Sequence, residues 1–199
     1  MVIFYAGIKL IYPLISIGII LSISPILWTF LKPYQQNRIQ IFLNPDLDPL
    51  GRGYHIIQSK IAIGSGGLKG NGFLEGSQSS LDFLPEKETD FVFAIFSEQF
   101  GFTGSILLIS LFFIMFLIPV LKTFKLTQAF NKIILFVLSF KIFFEFLINI
   151  SMTIGILPVV GVALPFMSYG GSSLLSNLII CALLLLSLIH ISEPTRHHA

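Results

Sequence analysis

The chain has 199 residues, of which 54% are hydrophobic and 11% are charged, with a formal net charge of +2. A mean hydropathy of +0.89 and long apolar runs exclude an ordinary soluble domain. The single cysteine, Cys181, excludes a disulfide framework. The charge pattern gives no support to nucleic-acid binding. The composition is that of a membrane protein.

The first predicted element is a transmembrane helix at 11–31, which contains no charged residue. A hydrocarbon core about 30 Å thick needs roughly 20 apolar residues of helix. Further apolar runs predict spans at 91–121, 133–156 and 174–185. The first run is too long for a signal peptide and has no cleavage site after it. We therefore expect an all-α, polytopic integral membrane helical bundle with about four spans.

Lysines between the second and third predicted spans orient the bundle. Lys122, Lys125 and Lys132 occur there without an acid, which predicts a cytoplasmic connection. The segment 32–90 and the turn 157–173 then lie together on the outer face. Within the first of these, YHIIQSKIAIG predicts a short helix or a re-entrant piece, and GSGGLKGNG predicts a flexible loop.

A burst of carboxylates, LPEKETDF, precedes the second predicted span. One interpretation is that Thr89 or Asp90 caps a helix that starts near Phe91. The other makes Asp90 a general base at the outer membrane surface, where it accepts a proton from a sugar hydroxyl. Asp82 and Glu86 are candidates for a second carboxylate or a cation ligand.

The glycine-rich loop and the polar residues within the predicted spans each have both a structural and a functional interpretation. The glycine-rich loop around Lys69 lacks the features of a P-loop, so flexibility is the default and a nest for a pyrophosphate is the alternative. Charges at membrane depth cost about 2.5 to 3.5 kcal/mol each, so they need a partner or a wet cavity. Two interpretations are therefore possible for the intramembrane polar residues, a structural role or a place in a site. These residues are Glu98, Lys141, Glu145 and Asn149.

The turn LPVVGVALPFMSYGGSS combines helix-breaking residues with Ser168 and Tyr169. Ser168 does not fit a hydrolase nucleophile, because a histidine and acid pair and the strand-turn-helix context are missing. Close helix packing through small residues is the default interpretation. The turn can also form a floor beneath the outer segment.

Three stretches, in order and spacing, resemble the SEDS family of shape, elongation, division and sporulation proteins: NPDLDPLGRGYHIIQSKIAIGSGG, FLPEKETDFVFAIFSEQFGFTGS and NISMTIGILPVVGVALPFMSYGGSS. The resemblance covers about 7–185. Val160 stands where division-type members usually carry Lys, so the chain is closer to the rod-shape members. A division-type homologue is the alternative.

The resemblance implies a multi-pass peptidoglycan glycosyltransferase of the bacterial cytoplasmic (inner) membrane. Such a protein polymerises lipid II, an undecaprenyl-pyrophosphate-linked disaccharide-peptide, at the outer face, and a class B penicillin-binding protein is its partner. The acid of the family's TDF motif is the catalytic residue and maps to Asp90. Asp82, eight residues earlier, is implied as a helper.

The chemistry of the residues agrees with this role, because a pyrophosphate leaves readily and needs charge neutralisation instead of an acid. Asp90 would activate the acceptor hydroxyl, while Lys69, Arg52 or a divalent cation, Mg²⁺ or Mn²⁺, holds the diphosphate. No metal ligand is assigned. The other candidate substrate-binding residues are Gln78, Glu86, Ser168 and Tyr169.

A flippase or transporter for a lipid-linked precursor is the alternative function, since broken helices and intramembrane polar residues suit it. A scaffold that only recruits the penicillin-binding protein is a third. Family members have about ten spans and the resemblance covers the C-terminal four, so we expect an inactive fragment. Residues 186–196, LSLIHISEPTR, can be encoded by a sequencing-library adapter, so 186–199 is interpreted as a translated artefact.

Overall fold

The computed structural model describes residues 11–48, 51–73, 75–76, 89–124, 126 and 129–192, and all the regular structure in these ranges is helical. The elements, in chain order, are α1 (Ile11–Phe30), α2 (Pro33–Leu43), a short 3₁₀ helix (Pro45–Leu47), α3 (Arg52–Ser65), α4 (Val92–Thr123), α5 (Ala129–Thr153) and α6 (Gly171–Ser192).

Two of these helices, α4 with 32 residues and α5 with 25, are long and apolar enough to cross a membrane. The predicted all-α membrane bundle is thereby confirmed. Helix α1 has 20 uncharged residues and its apolar side chains are exposed along its length. Helix α6 continues through Ser192, past the end of the last predicted span at residue 185.

Helices α4 and α5 pack against each other through phenylalanine side chains. Phe112 stacks on Phe146 with ring centroids 4.2 Å apart, and Phe116 stacks on Phe143 at 4.3 Å. Such pairs contribute about 0.5–1.5 kcal/mol beyond the burial of their area. The phenylalanine-rich composition therefore holds the two spans together.

Helix α4 is interrupted at Gly101, whose φ of 64° and ψ of −164° are not helical. A break in a helix leaves carbonyl groups free before it and N–H groups free after it. In a bilayer these groups have no water to bind, so they need partners within the protein.

The glycine-rich loop that follows α3 supplies those partners through four backbone hydrogen bonds, two in each direction. The bonds are Asn71 N–H to Glu98 O (2.9 Å), Gly72 N–H to Gln99 O (3.2 Å), Phe102 N–H to Gly67 O (2.9 Å) and Thr103 N–H to Leu68 O (3.1 Å). A Cβ at Gly66 or Gly70 would collide with the carbonyl groups of Ser97 or Gln99. The glycines thus permit close backbone packing, and the prediction of a flexible loop is wrong.

The helix predicted within the segment 32–90 is present as α3 and packs on the start of α4. Ala62, Phe91 and Ala94 form a buried cluster between the two helices. The Ser59 hydroxyl donates to the carbonyl oxygen of Thr153 at the end of α5 (2.7 Å). Helix α3, the start of α4 and the end of α5 therefore meet at one end of the bundle.

Candidate active site

A cavity of about 360 Å³ lies at this end of the bundle. Helices α2 and α3, the residues just before α4 and the segment after α5 all contribute to its wall. The lining residues are Arg38, Gly51, His55, Asp90, Phe91, Val159, Val160 and Gly161. Asp90, the carboxylate predicted from the sequence, thus shares a cavity with Arg38, a cation that the sequence did not single out.

Asp90 is half-buried and stands immediately before the N-cap of α4. The N-cap position falls on Phe91 and has no side-chain cap, so the prediction that Thr89 or Asp90 occupies it is wrong. The carboxylate lies beside Gly161, where an added Cβ would be 3.5 Å from Asp90 Oδ2. The helix start therefore presents the carboxylate to the cavity.

Asn149, on α5, holds the backbone at Asp90 in place. Its side-chain Nδ2 donates to the carbonyl oxygens of Asp90 (3.0 Å) and Val162 (2.7 Å). The side chain is fully buried. One amide thus joins α5 to both the start of α4 and the segment that carries Gly161, two walls of the cavity.

Ser168 makes a second tie to the same region. Its hydroxyl accepts from the N–H of Leu164 (2.7 Å) and donates to the carbonyl oxygen of Thr89. Tyr169 is 79% exposed. Neither side chain lines the cavity, so Ser168 acts here through the backbone that positions Asp90, and its predicted contact with substrate stays a prediction.

Arg38, on α2, is the residue that sequence reasoning missed. Its Nε is buried and has no hydrogen-bond partner within the described ranges, and the same holds for Nδ1 of His55. A signal was available, because Arg38 is the only charged residue between Lys32 and Asp46. This isolated charge indicates a cavity residue only once the fold shows that α2 contributes to the cavity wall.

The other predicted substrate-binding residues are not brought into the cavity or are not described. Lys69 is exposed on the loop that pairs with α4 and does not line the cavity. The side chain of Arg52 lies outside the described part of the molecule, as do Gln78, Asp82 and Glu86. Among the described residues, no cluster of three or more His, Cys, Asp or Glu could hold a metal ion, so a cation ligand set stays unassigned.

The intramembrane charges are paired inside the bundle. Lys141 Nζ donates to Glu145 Oε2 and to Asn177 Oδ1, each at 2.9 Å. These contacts join α5 to α6. Glu98 is fully buried, and a Cβ at Gly76 would lie 2.5 Å from its Oε2. The loop therefore covers this carboxylate, and the structural interpretation fits both places.

The sequence profile of the FtsW/RodA/SpoVE family, described as cell cycle proteins, matches residues 1–193. The chain belongs to this family. The match extends beyond residue 185 and so overlaps the part interpreted from the sequence as a translated artefact.

Two curated relatives are named for their activity. The peptidoglycan glycosyltransferase MrdB of Escherichia coli (strain K12) is 45% identical over 177 residues, covering 87% of this chain and 47% of MrdB. The peptidoglycan glycosyltransferase RodA of Treponema pallidum (strain Nichols) is 46% identical over 155 residues, covering 78% of this chain and 36% of RodA. The chain thus spans about half the length, or less, of these family members.

The fold is also similar to that of a chain in a solved peptidoglycan synthase complex described as coordinating polymerization and crosslinking. The two share a TM-score of 0.76 and 30% identity, over 97% of this chain and 53% of the other. The architecture described above is therefore that of the SEDS membrane bundle.

Proposed function

We propose that this protein is a peptidoglycan glycosyltransferase that polymerises lipid II at the outer face of the bacterial cytoplasmic membrane during cell elongation. The observation that carries the proposal is the position of Asp90, beside a cavity at the end of a membrane-length helix. The names of MrdB and RodA, both more than 40% identical, support the reaction class. Relatives named FtsW are 36% to 40% identical, which favours elongation over division.

In the proposed reaction the Asp90 carboxylate accepts the proton of an acceptor sugar hydroxyl. The hydroxyl oxygen forms a bond to the anomeric carbon of the lipid-linked donor. The bond from that carbon to the diphosphate oxygen breaks, and its electron pair leaves with the polyprenyl diphosphate. The proton on Asp90 then passes to water, so each cycle adds one unit and releases one lipid diphosphate.

The surroundings of Asp90 suit this role. Asn149 and Ser168 bind backbone carbonyls on both sides of the carboxylate, at Asp90 itself and at Thr89. A base held by its backbone keeps its distance to a bound hydroxyl, and positioning is a large part of catalysis. Gly161 has no side chain, whereas a Cβ at that position would stand 3.5 Å from Oδ2.

A class B penicillin-binding protein is the proposed partner. The support is the similarity to a chain of a peptidoglycan synthase complex that couples polymerization with crosslinking. Transport of a lipid-linked precursor has less support, because it calls for polar groups available across the bilayer. Lys141 and Glu145 instead bind each other, and Lys141 binds Asn177.

The test is polymerisation of fluorescent lipid II by the full-length protein in detergent, with glycan strands separated on a gel. Asp90→Asn should lower the rate by about 100-fold or more, since a general base contributes typically 10²–10⁴-fold. Asp46→Asn, in the 3₁₀ helix outside the cavity wall, is the control and should polymerise normally. Undiminished polymer from Asp90→Asn would refute the assignment of the base.

A further inference from the structure

Two polar atoms in the wall of the Asp90 cavity lack partners. Nε of Arg38 and Nδ1 of His55 are both buried, and neither makes a hydrogen bond within the described part of the chain. Buried polar groups in folded proteins are nearly always hydrogen-bonded, so each exception needs an explanation. Among the described residues there are three such atoms, and two of them belong to residues that line this one cavity. The third, Oδ1 of Asn149, belongs to the side chain that binds the backbone of Asp90.

Arg38 brings a permanent positive charge to this wall, because a guanidinium does not lose its proton in proteins. Its planar fork of donors matches the oxygens of a phosphate group and can bind two of them at once. By contrast, the Lys141 ammonium is already bound to Glu145 and Asn177. Among the described residues that line the cavity, Arg38 is the cation, and its Nε is free to donate a hydrogen bond to a ligand.

The size of the cavity suits a ligand. Its volume of about 360 Å³ lies within the range of about 300–1,000 Å³ that is usual for small-molecule sites. Apolar Phe91, Val159 and Val160 make up the rest of the wall together with glycines. Among the described lining residues, Arg38 and Asp90 carry the charges and the sides are apolar, so the cavity can orient an anionic group towards Arg38.

We propose that Arg38 binds the diphosphate of the lipid-linked donor, with the His55 ring nitrogen as a second hydrogen-bonding group in the same cavity wall. This inference rests on the proposed function, since it identifies the donor side of the same site. Arg38 stabilises the negative charge that develops on the leaving diphosphate, while Asp90 acts on the acceptor hydroxyl. Arg38 and Asp90 thus divide the reaction between them.

The experiment separates binding from turnover. The full-length Asp90→Asn protein, which holds the carboxamide in place of the base, is placed in nanodiscs and titrated with undecaprenyl pyrophosphate or with undecaprenol. Adding Arg38→Gln should weaken the affinity for undecaprenyl pyrophosphate by about 10- to 100-fold, the range expected for the loss of hydrogen bonds to a charged group. The affinity for undecaprenol, which has no anionic group, should not change.

Three further variants make the result specific. Arg38→Lys keeps the charge without the fork and should recover part of the affinity. Lys32→Gln removes an exposed cation beside the same helix, outside the cavity wall, and should leave the affinity unchanged. Lys69→Gln tests the loop lysine that the sequence suggested.

Equal affinity of Arg38→Gln and its parent for the pyrophosphate lipid would overturn the inference, as would a loss confined to Lys69→Gln. A loss of undecaprenol binding in Arg38→Gln would also overturn it, because that residue would then support the fold and not the anion. Failure of the proposed function gives a different result. In that case the unmutated full-length protein makes no glycan from lipid II, whatever Arg38 does to binding, whereas undiminished polymer from Asp90→Asn refutes only the assignment of the base.

Discussion

The helices are interrupted at two places near the same end of the bundle, and the polar groups at the two places are satisfied to different extents. At the Gly101 break, backbone groups on both sides are paired with the glycine-rich loop. At the Asp90 cavity, Nε of Arg38 and Nδ1 of His55 are left without partners in the described ranges. The first region has its polar groups paired within the described ranges, whereas we propose that a ligand completes the second.

The comparison extends to the charges at membrane depth. Lys141, Glu145 and Asn177 satisfy one another across the interface of α5 and α6. Satisfied polar groups specify packing, and unsatisfied ones indicate binding. The variants below test this division, from the largest expected effect to the smallest.

Gly101→Ala should have the largest effect, and it should act on folding. A side chain at φ 64° and ψ −164° is strained, and its Cβ would collide with the backbone of Gly70 and Lys69. Strain of this kind costs about 1–3 kcal/mol, and the forced separation of the loop adds about 1–3 kcal/mol. We expect a strongly reduced yield of monodisperse protein in size-exclusion chromatography.

Gly64→Ala is the matched control for the loop. A Cβ there has no atom within 4 Å, and alanine in a helix is favoured over glycine by about 1 kcal/mol. Its stability should be unchanged or slightly raised. If Gly101→Ala behaved like Gly64→Ala, the pairing of the loop with α4 would not be what holds this region together.

Asn149→Ala should lower both stability and polymerisation. Removing Nδ2 leaves the part-buried carbonyls of Asp90 and Val162 without this donor, and each such loss costs about 1 kcal/mol. Asn177→Ala is the comparison, because that side chain binds Lys141 and lies outside the cavity wall. It should lower stability while the rate per folded molecule is retained. Equal rates for both variants would show that Asn149 does not position Asp90.

Lys141→Met should have a smaller effect, measured as the SDS concentration that unfolds the protein in mixed micelles. Breaking a buried ion pair costs about 3–5 kcal/mol, but these side chains are 34% and 30% exposed, so about 1–2 kcal/mol is expected. The double variant Lys141→Met with Glu145→Leu removes both charges and should recover most of the loss. Without recovery, the pair would have a role beyond packing.

Much of the fold could be predicted from the sequence, because bilayer thickness fixes the length of an apolar run. The runs at 91–121 and 133–156 correspond to Val92–Thr123 and Ala129–Thr153. The break at Gly101 could not be predicted, since it depends on a loop that is distant in sequence and fits only when glycines face it. Composition alone suggested flexibility for a segment that is firmly paired.

The site was predicted in part. Asp90 was identified because it ends a run of carboxylates before a span and matches the acid of the family's TDF motif, and its role as the base stays a prediction. Arg38 could not, because its importance arises from the fold of α2 and from the absence of a partner for Nε. Lys69 was suggested by its glycine neighbours, whose freedom serves backbone packing instead. Charge and local pattern identify candidate site residues, but only the tertiary structure shows which of them already have hydrogen-bond partners.

Gly161→Ala should have the smallest effect on stability and a selective effect on the site. The residue has a φ of +75°, which costs an alanine about 1–2 kcal/mol. Its Cβ would stand 3.5 Å from Asp90 Oδ2, inside the space that an acceptor hydroxyl needs. The expected result is a several-fold lower kcat/KM for lipid II. Gly171→Ala, with open space around its Cβ, should match the parent. A loss shared by both variants would mean that any change in or beside the segment between α5 and α6 lowers the rate, and that the cavity is not its specific cause.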